Sequence, residues 1–281
     1  MKNREILQHA KREKFAIPQI NINELIWIEP VLKAAESMHA PIIIATSDNL
    51  VPTLGGYEFI FKTIKNKVQA MGISVPVIIH LDHSTSIENC RQAIDVGYDS
   101  IMYDGSKLPI ESNIAYTKQV VDYAHQNDIL VEGEVGGVGG TEDGISGNVK
   151  YASLDDCYQL VTQTNLDSLA PALGSVHGEY KGEPNLGFKE MEEIESQLDI
   201  PLVLHGASGI SDEELLQTIN LGHAKINFNT EVKIAWAKQL RQTLEKDKQL
   251  YDPQKIIGPS KDAIEEAVKT LIIKCNASNQ A

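Results

Sequence analysis

The residues with the greatest chemical potential in this sequence are three histidines and one glutamate, each just after a short apolar run: His83, Glu134, His177 and His205. Imidazole nitrogens and carboxylate oxygens are ligands that Zn2+ and similar divalent ions prefer. One histidine after an apolar run is usually a hydrogen-bonded structural residue, but three of them with a carboxylate indicate a shared binding site. The set predicts a catalytic metal site, provided that the fold brings the four side chains together.

Asp82 directly precedes His83 in the segment HLDH and is the candidate acid/base beside the metal. Its alternative role is to orient a ligand imidazole, and His80 competes for that role. Neighbours on a regular strand point to opposite faces. Asp82 and His83 can therefore share one site only if the strand ends there and the chain turns.

A glycine-rich segment, VGGVGGTEDG at 135–144, follows the run that carries Glu134. Such a loop is expected to be mobile, so that Glu142, or less favourably Asp143, could close over the site as a second proton-transfer group. The alternative is a solvated acidic loop without a chemical role.

Two further segments have the composition of a phosphate cradle, HGASG at 205–209 and NFNT at 227–230. Ser208, Asn229 and Thr230 offer small polar side chains among exposed backbone N–H groups, as phosphate sites require. HGASG alone is weak evidence, since Gly-Ala-Ser also forms ordinary turns, but it begins at a candidate metal ligand.

Eight short apolar runs must position these residues: 17–21, 41–46, 77–83, 100–106, 129–135, 168–174, 202–208 and 225–231. Runs such as PIIIAT are too short for helices and too continuous for half-exposed strands, which is typical of parallel strands buried on both faces. With helical stretches between them, they predict a closed (β/α)8 barrel, the TIM barrel, as one domain over residues 1–281. An open doubly wound sheet is the alternative.

The carboxyl ends of the strands are where such a barrel carries its chemistry. Polar residues are rare at buried strand ends unless they have a partner or a function, because burial of an unpaired polar group costs free energy. In this chain the run ends carry Asn21, Asn23, Ser47, Asp48, Asp82, His83, Asp104, Glu132, Glu134, His177, His205, Asn227, Asn229 and Thr230.

The sequence signals for helix starts and ends agree with the spacing of the apolar runs. Ile87, Cys90 and Ile94 share one helical face, and Gly97 follows where a C-cap belongs. Ser211 and Glu214 form a capping-box pattern, with Gly222 closing that helix.

Composition narrows the partners and the compartment. The formal net charge is −14 and the pI is near 5.0, which disfavours nucleic acid and anionic membrane surfaces as partners. The three cysteines form no C-x-x-C pair, and the charged N-terminal segment has no signal-peptide pattern. We expect a cytoplasmic protein without a membrane span.

Five motifs resemble those of the class II, metal-dependent ketose-bisphosphate aldolases, in the order of that family and over nearly the whole chain: HLDH, EGEVGGVGGTEDG, APALGSVHGEYKGEPNLGF, LVLHGASGI and KINFNTE. The tail YDPQKIIGPSKDAIEEAV is similar to the fructose- and tagatose-bisphosphate aldolase branch. The resemblance implies His83, Glu134, His177 and His205 as ligands of Zn2+ or another divalent metal, Asp82 as catalytic acid/base and Glu142 as the mobile-loop glutamate. The phosphate and substrate groups that it implies are Asn21, Ser47, Gly178, Lys181, Gly206, Ser208, Asn227, Asn229 and Thr230.

The same resemblance implies cleavage of a ketose 1-phosphate, such as fructose or tagatose 1,6-bisphosphate, to dihydroxyacetone phosphate and an aldehyde. It also implies a monovalent cation, Na+ or K+, beside the phosphate, and a homodimer or homotetramer. Two positions depart from the family: Lys107 replaces a histidine in DGSK, and Ala207 replaces a glycine in HGA.

The substrate branch is left open by the sequence. SDNLVPTLGG, TEDGISGNVKYA and LGHAKINFNTEVKIAW resemble aldolases that cleave 6-phospho-5-dehydro-2-deoxygluconate to dihydroxyacetone phosphate and malonate semialdehyde. Lys261 stands where the bisphosphate branch has an arginine for the distal phosphate, and a lysine suits any anionic tail.

Three other functions compete with this hypothesis. Lys225 could form an imine in a class I aldolase, although a barrel-lining or phosphate-proximal lysine is the favoured interpretation. A non-catalytic sugar-phosphate or metal-binding barrel would not need both Asp82 and Glu142. A zinc hydrolase lacks support because IPQININ contains no His-x-His.

Overall fold

The computed structural model describes residues 3–142, 145–147, 149–178 and 184–281. Its strands are β1 (Ile17–Asn21), β2 (Ile42–Ser47), β3 (Val77–Ser84), β4 (Ser100–Tyr103), β5 (Leu130–Val135), β6 (Gly139–Glu142), β7 (Ile145–Gly147), β8 (Ser168–Pro171), β9 (Val176–His177), β10 (Leu202–Leu204) and β11 (His223–Phe228). The helices are α1 (Asn3–Glu13), α2 (Ile28–Ser37), α3 (Tyr57–Met71), α4 (Ile87–Val96), α5 (Ile110–His125), α6 (Leu154–Thr164), α7 (Phe188–Gln197), α8 (Asp212–Asn220), α9 (Thr230–Lys246) and α10 (Pro253–Lys274).

Eight of these strands form a closed parallel barrel in the order β1, β2, β3, β4, β5, β8, β10, β11. Closure is direct, since β1 pairs with β2 on one side and with β11 on the other. The predicted (β/α)8 barrel is therefore confirmed, and the open doubly wound sheet is wrong. All eight strands end at the same mouth, so the polar run ends lie together.

The apolar runs became strands because they can be buried on both faces. Every residue of β1, β2 and β11 is buried, with the helices outside and the barrel interior within. The predicted helix signals are also present: Gly97 caps α4 in the left-handed conformation, and Ser211 forms a capping box with Glu214 at the start of α8. These helix ends could therefore be predicted from residues close together in the sequence.

Four strands end earlier than predicted. The runs 100–106, 168–174, 202–208 and 225–231 leave the barrel after Tyr103, Pro171, Leu204 and Phe228 respectively. The polar and glycine-rich residues beyond these points turn over the mouth, and Thr230 already begins α9. The hydrophobic signal does not mark the last hydrogen-bonded residue, because the mouth is itself largely buried.

A small second sheet, which was not predicted, includes the metal-ligand candidate His177. β6 pairs antiparallel with β7 and parallel with β9, in the order β7, β6, β9. Four of its residues come from the glycine-rich segment expected to be a loop, and glycine is a poor strand former. This pairing therefore depends on tertiary contacts.

Among the described residues, no helix is both long enough and apolar enough to cross a lipid bilayer. α10 packs against both α9 and α2 on the outside of the barrel.

Candidate active site

The predicted metal ligands converge at the carboxyl ends of β3, β5, β9 and β10. Donor atoms of His83, His177 and His205 all lie within 4.8 Å of one another, and so do those of His83, Asp104 and Glu134. Nε2 of His83 and Nδ1 of His205 are 3.0 Å apart, and Nδ1 of His205 is 3.9 Å from Oε2 of Glu134. All these side chains are buried. The structure thus brings the four predicted residues together and adds Asp104, which the sequence marked only as a polar strand end.

The backbone at His83 explains how two neighbours on one strand face the same site. His83 has φ +52°, a left-handed conformation that non-glycine residues adopt rarely. The chain turns at His83, as the sequence argument required, but the strand does not end there: β3 continues to Ser84, and its pairing with β4 shifts register between Leu81 and Ser84. Ser84 anchors the turn, because its carbonyl accepts from the Asp104 N–H at 2.7 Å and its hydroxyl donates to Asp48 at 3.0 Å.

Two of the histidines are held through the ring nitrogen that takes no part in the 3.0 Å contact between His83 and His205. Nδ1 of His83 is 3.1 Å from Oδ2 of Asp104, and Nε2 of His205 is 2.8 Å from Oε1 of Glu132. Oε2 of Glu132 in turn accepts from the Lys225 ammonium at 2.7 Å. Carboxylates in this position orient metal-binding imidazoles in many proteins. Lys225 lines the barrel, which is the interpretation favoured from the sequence.

Asp82 is held by an amide chain from β1. Nδ2 of Asn21 donates to Oδ2 of Asp82 at 2.7 Å, and the Gln19 amide donates to Oδ1 of Asn21 at 2.8 Å. Asn21 also lies 3.1 Å from the Ser47 hydroxyl, so both residues implied near the phosphate stand beside the acid/base candidate. Nδ1 of His80 is 2.9 Å from the Ser100 hydroxyl oxygen, and Nε2 of His80 is 3.9 Å from Oδ1 of Asp82.

The charges of the cluster keep Asp82 ionised. Burial by itself would raise the pKa of Asp82, but His83, His205 and Lys225 lower it well below its usual range. Burial would also raise the pKa of Glu132, yet Lys225 and His205 lower it to about 2. Both carboxylates are therefore acceptors at neutral pH.

The remaining charges are those of a site built for a cation. Burial and the nearby Asp104 carboxylate raise the pKa of Glu134 well above its usual range. Burial disfavours the His83 imidazolium, but Asp82 and Asp104 outweigh it and raise the pKa of His83 to about 10. Among the described residues, Oε2 of Glu134 and Oδ1 of Asp82 have no hydrogen-bond partner. A buried cluster short of positive charge fits a divalent cation.

The spacing of the donor atoms also fits a single ion. Ligands about 2.1 Å from a tetrahedral ion lie about 3.4 Å from one another. Nε2 of His83 and Nδ1 of His205 are 3.0 Å apart, and the nearest donor of His177 lies within 4.8 Å of both. The spacing of these three histidines is therefore compatible with His ligands of one metal ion.

The predicted phosphate residues lie at the adjoining part of the mouth, after β10 and β11. Gly206 adopts φ +66°, and a Cβ there would stand 2.4 Å from the Val176 carbonyl oxygen. Ser208 accepts from the Glu231 N–H at 3.4 Å, and Asn229 accepts from Asn23 at 2.9 Å. Side chains of Ser208, Asn227 and Asn229 are buried, Thr230 begins α9, and Gly178 follows His177 with φ +89°.

Asn227 lies beside the metal-ligand cluster, with its amide nitrogen 3.3 Å from Nε2 of His205. Lys181 lies outside the described residues. Glu142 ends β6, and its side chain likewise lies outside the described part of the chain. The predicted roles of Lys181 and Glu142 therefore remain predictions.

Lys261 lies on α10, and its ammonium donates to Oε2 of Glu29 at 3.2 Å. Glu29 also pairs with Lys33 at 2.9 Å, and the hydrogen bonds from these two lysines lower the pKa of Glu29 to about 2. The sequence had not indicated this acidic partner for Lys261. Lys107, which replaces a family histidine, is an exposed residue of the loop after β4.

Comparison with known proteins gives one consistent result. The family model "Fructose-bisphosphate aldolase class-II" matches residues 1–280. The 6-phospho-5-dehydro-2-deoxy-D-gluconate aldolase of Bacillus subtilis is 50% identical over 278 residues, which are 99% of this chain and 96% of that protein. The fructose-bisphosphate aldolase of Geobacillus stearothermophilus is 49% identical over 266 residues, 94% of this chain and 93% of that protein.

Solved structures agree with the sequence comparison. The YdjI aldolase of Escherichia coli K12 superposes with a TM-score of 0.87 at 30% identity, covering 99% of this chain and 98% of its own. The fructose-bisphosphate aldolase of Campylobacter jejuni shares the fold, with a TM-score of 0.82 at 21% identity over 99% and 95% of the two chains.

Proposed function

The chain belongs to the class II fructose-bisphosphate aldolase family and is an aldolase, a carbon–carbon lyase, and from this premise we propose its substrate, metal and residue roles. The substrate is a ketose with phosphate on the carbon next to the keto group, with fructose or tagatose 1,6-bisphosphate as the first candidate. Reversible cleavage releases dihydroxyacetone phosphate and an aldehyde such as glyceraldehyde 3-phosphate. The convergence of three histidines beside Asp82 carries the proposal.

The metal of the site is Zn2+, held by His83, His177 and His205 with Glu134 as the carboxylate ligand. Members of this family generally depend on a divalent metal, and the donor set is of the catalytic zinc type. When bound, such an ion acts as a Lewis acid toward the substrate carbonyl. Glu134 and Asp104 also neutralise part of its charge.

Asp82 is the base that takes the proton from the hydroxyl of the carbon whose bond is cleaved. Its lowered pKa keeps it ionised, and the Asn21 amide holds Oδ2 at 2.7 Å so that Oδ1 is available for this proton. In the condensation direction the same carboxyl group returns the proton.

Glu142 donates the second proton, to the carbon from which the aldehyde has departed. The support is its place on β6, two residues after Gly140, which pairs with the metal-ligand candidate His177.

The phosphate is held by backbone N–H groups and short polar side chains after β9, β10 and β11, from Gly178, Gly206, Ser208, Asn229 and Thr230, with Lys181 and a monovalent cation, Na+ or K+. Asn227 binds on the carbonyl side, and Asn21 and Ser47 contribute polar groups near the same phosphate. Local N–H groups and cations are needed because the net charge of −14 repels a phosphorylated sugar.

The first test removes one ligand. His177→Ala is expected to lose stoichiometric zinc and at least 100-fold in kcat, because the ion is then held by fewer ligands. His125→Gln is the matched control, since His125 pairs with Asp167 away from the mouth, and it should keep both properties. Wild-type zinc content and turnover in His177→Ala would overturn the assignment.

A second candidate substrate is 6-phospho-5-dehydro-2-deoxygluconate, which yields malonate semialdehyde as the aldehyde. It is supported by the name of the Bacillus subtilis relative. Lys261 does not separate the two candidates, because its single ammonium suits a carboxylate as well as a phosphate. The deciding measurement is kcat/KM for this compound and for the fructose and tagatose bisphosphates. We expect the highest value for a bisphosphate; a tenfold preference for the deoxygluconate phosphate would establish the second candidate.

We also propose a homodimer or homotetramer, by similarity to the family. Light scattering on the purified protein measures this directly, and a monomer at micromolar concentration would contradict it.

A further inference from the structure

A charged chain of three residues runs through the barrel interior behind the metal cluster. The Lys225 ammonium donates to Oε2 of Glu132 at 2.7 Å, and Oε1 of Glu132 accepts from Nε2 of His205 at 2.8 Å. All three side chains are at most 2% exposed. Neither Glu132 nor Lys225 has a part in the reaction steps proposed above.

Two groups approach Nε2 of His205, Oε1 of Glu132 at 2.8 Å and the amide nitrogen of Asn227 at 3.3 Å, and the shorter contact decides which nitrogen is free to bind a metal. One oxygen of Glu132 accepts from the Lys225 ammonium at 2.7 Å, and the other oxygen of a carboxylate paired in this way also accepts, so Nε2 of His205 is the donor in the 2.8 Å contact with Glu132. Nδ1 of His205 then presents its lone pair to the cluster, where it lies 3.0 Å from Nε2 of His83. The opposite tautomer would put a proton where the ion must bind.

The ammonium of Lys225 restrains the carboxylate itself. Glu132 spans from β5 to His205, and without Lys225 its second oxygen would be buried without a counter-charge. Lys225 lies on β11, which pairs with β10, the strand that leads to His205. The lysine and the histidine are thus fixed on neighbouring strands, with Glu132 between them.

A contribution to stability does not explain this pair well. Buried ion pairs commonly contribute little net stability, because desolvation of both charges offsets their attraction. Apolar residues of similar size would fill the same volume. Retention of a lysine and a glutamate there is better explained by what the carboxylate does to His205.

We propose that Glu132 and Lys225 are a positioning pair that selects the metal-binding tautomer of His205 and holds its ring in place. The inference rests on the proposed function, since it presupposes that His205 binds the metal. Lys225 acts as a counter-ion here, and its side chain is committed to Glu132 rather than to an imine with substrate. Glu132 touches neither substrate nor metal.

The test compares two double variants that both remove the charges. Glu132→Met/Lys225→Met deletes the acceptor for His205, whereas Glu132→Gln/Lys225→Met keeps an amide oxygen within reach of Nε2. Zinc dissociation constants from chelator competition are expected to rise 10- to 100-fold in the first variant, and clearly less in the second. The Co2+-substituted proteins should show altered visible absorption bands in the first variant only.

Circular dichroism and thermal unfolding establish that each variant is folded, and the single variant Glu132→Gln serves if a double variant is not. That single variant keeps the size of the side chain but places an amide between His205 and Lys225, so its zinc affinity should fall as well. His125→Gln again provides the control, because it removes a His–Asp pair outside the cluster and should leave zinc affinity unchanged.

Folded variants that all bind zinc within twofold of wild type, with unchanged Co2+ spectra, would overturn the positioning role while leaving the proposed function intact. Failure of the wild-type protein to bind any divalent metal would instead overturn both. The readouts therefore separate the two conclusions.

Discussion

At the scale of single residues, the site depends on side chains that are each held by a second group. Asn21 holds Asp82, Asp104 holds His83, and Glu132 holds His205. Such fixed partners reduce the reorganisation needed when charge develops in the reaction. The unusual backbone of His83 belongs to the same arrangement, because it lets two adjacent residues serve one site.

Replacement of Asp82 by asparagine tests the proton-transfer role. Asp82→Asn keeps the shape of the side chain and an oxygen for the Asn21 hydrogen bond but cannot take a proton. We expect kcat to fall between 100- and 10,000-fold, with substrate binding and zinc content nearly unchanged. Coupled assay of dihydroxyacetone phosphate, together with metal analysis, measures both. An active Asp82→Asn enzyme would assign the base elsewhere.

At the scale of elements, the small sheet links the glycine-rich segment to the metal cluster. Gly140 on β6 pairs with His177 on β9, and Glu142 ends the same strand two residues later. The close approach requires glycine, because Gly140 has φ +85° and a Cβ would stand 2.0 Å from the His177 carbonyl oxygen. A displacement of β6 would therefore disturb the backbone of His177.

Gly140→Ala is expected to separate β6 from β9, lowering kcat at least tenfold and weakening zinc binding. The barrel strands are untouched, so the thermal midpoint should change little. Gly258→Ala is the matched control, since a Cβ at Gly258 in α10 meets no atom within 4 Å. Kinetics and zinc titration of both variants decide the matter. Equal behaviour of the two alanine variants would show that this pairing has no part in catalysis.

At the scale of the whole molecule, stability and chemistry occupy opposite ends of the barrel. The mouth holds the candidate metal ligands, whereas the ionisable groups at the opposite end, such as the His125–Asp167 pair, have no proposed part in the chemistry. His223 is one of these groups, at the beginning of β11. Its Nδ1 lies 3.1 Å from the Thr218 carbonyl oxygen, and burial lowers the pKa of His223 to about 4. The folded barrel therefore holds this imidazole neutral.

This residue predicts a pH dependence of stability. Between about pH 6.5 and pH 4 the unfolded chain binds a proton at His223 that the folded state does not, so stability falls as the pH falls through this range. His223→Asn retains a donor for the Thr218 carbonyl. Between pH 7 and pH 5 the unfolding free energy of the wild type should fall by about 2 kcal/mol more than that of this variant. Urea unfolding of both metal-free proteins measures the difference, and parallel pH curves would contradict it.

Much of the fold and part of the site could be predicted from local sequence. The run PIIIAT predicted β2, Ser211 and Glu214 predicted a helix start, and three histidines and a glutamate after four runs predicted a shared site once a barrel was assumed. These signals are local because hydrophobic period, capping and turn chemistry involve residues close in the chain.

Tertiary structure alone decided the partners of these residues. Glu132 and Lys225 are 93 positions apart, Lys261 and Glu29 are 232 apart, and Asn21 and Asp82 are 61 apart. No periodicity relates such residues, because their contact depends on strand register and on where each strand leaves the barrel. The amino-acid sequence by itself determined the barrel and its set of reactive groups. The tertiary structure decided which of these groups pair with each other, since closure of the barrel brings distant segments of the chain into contact.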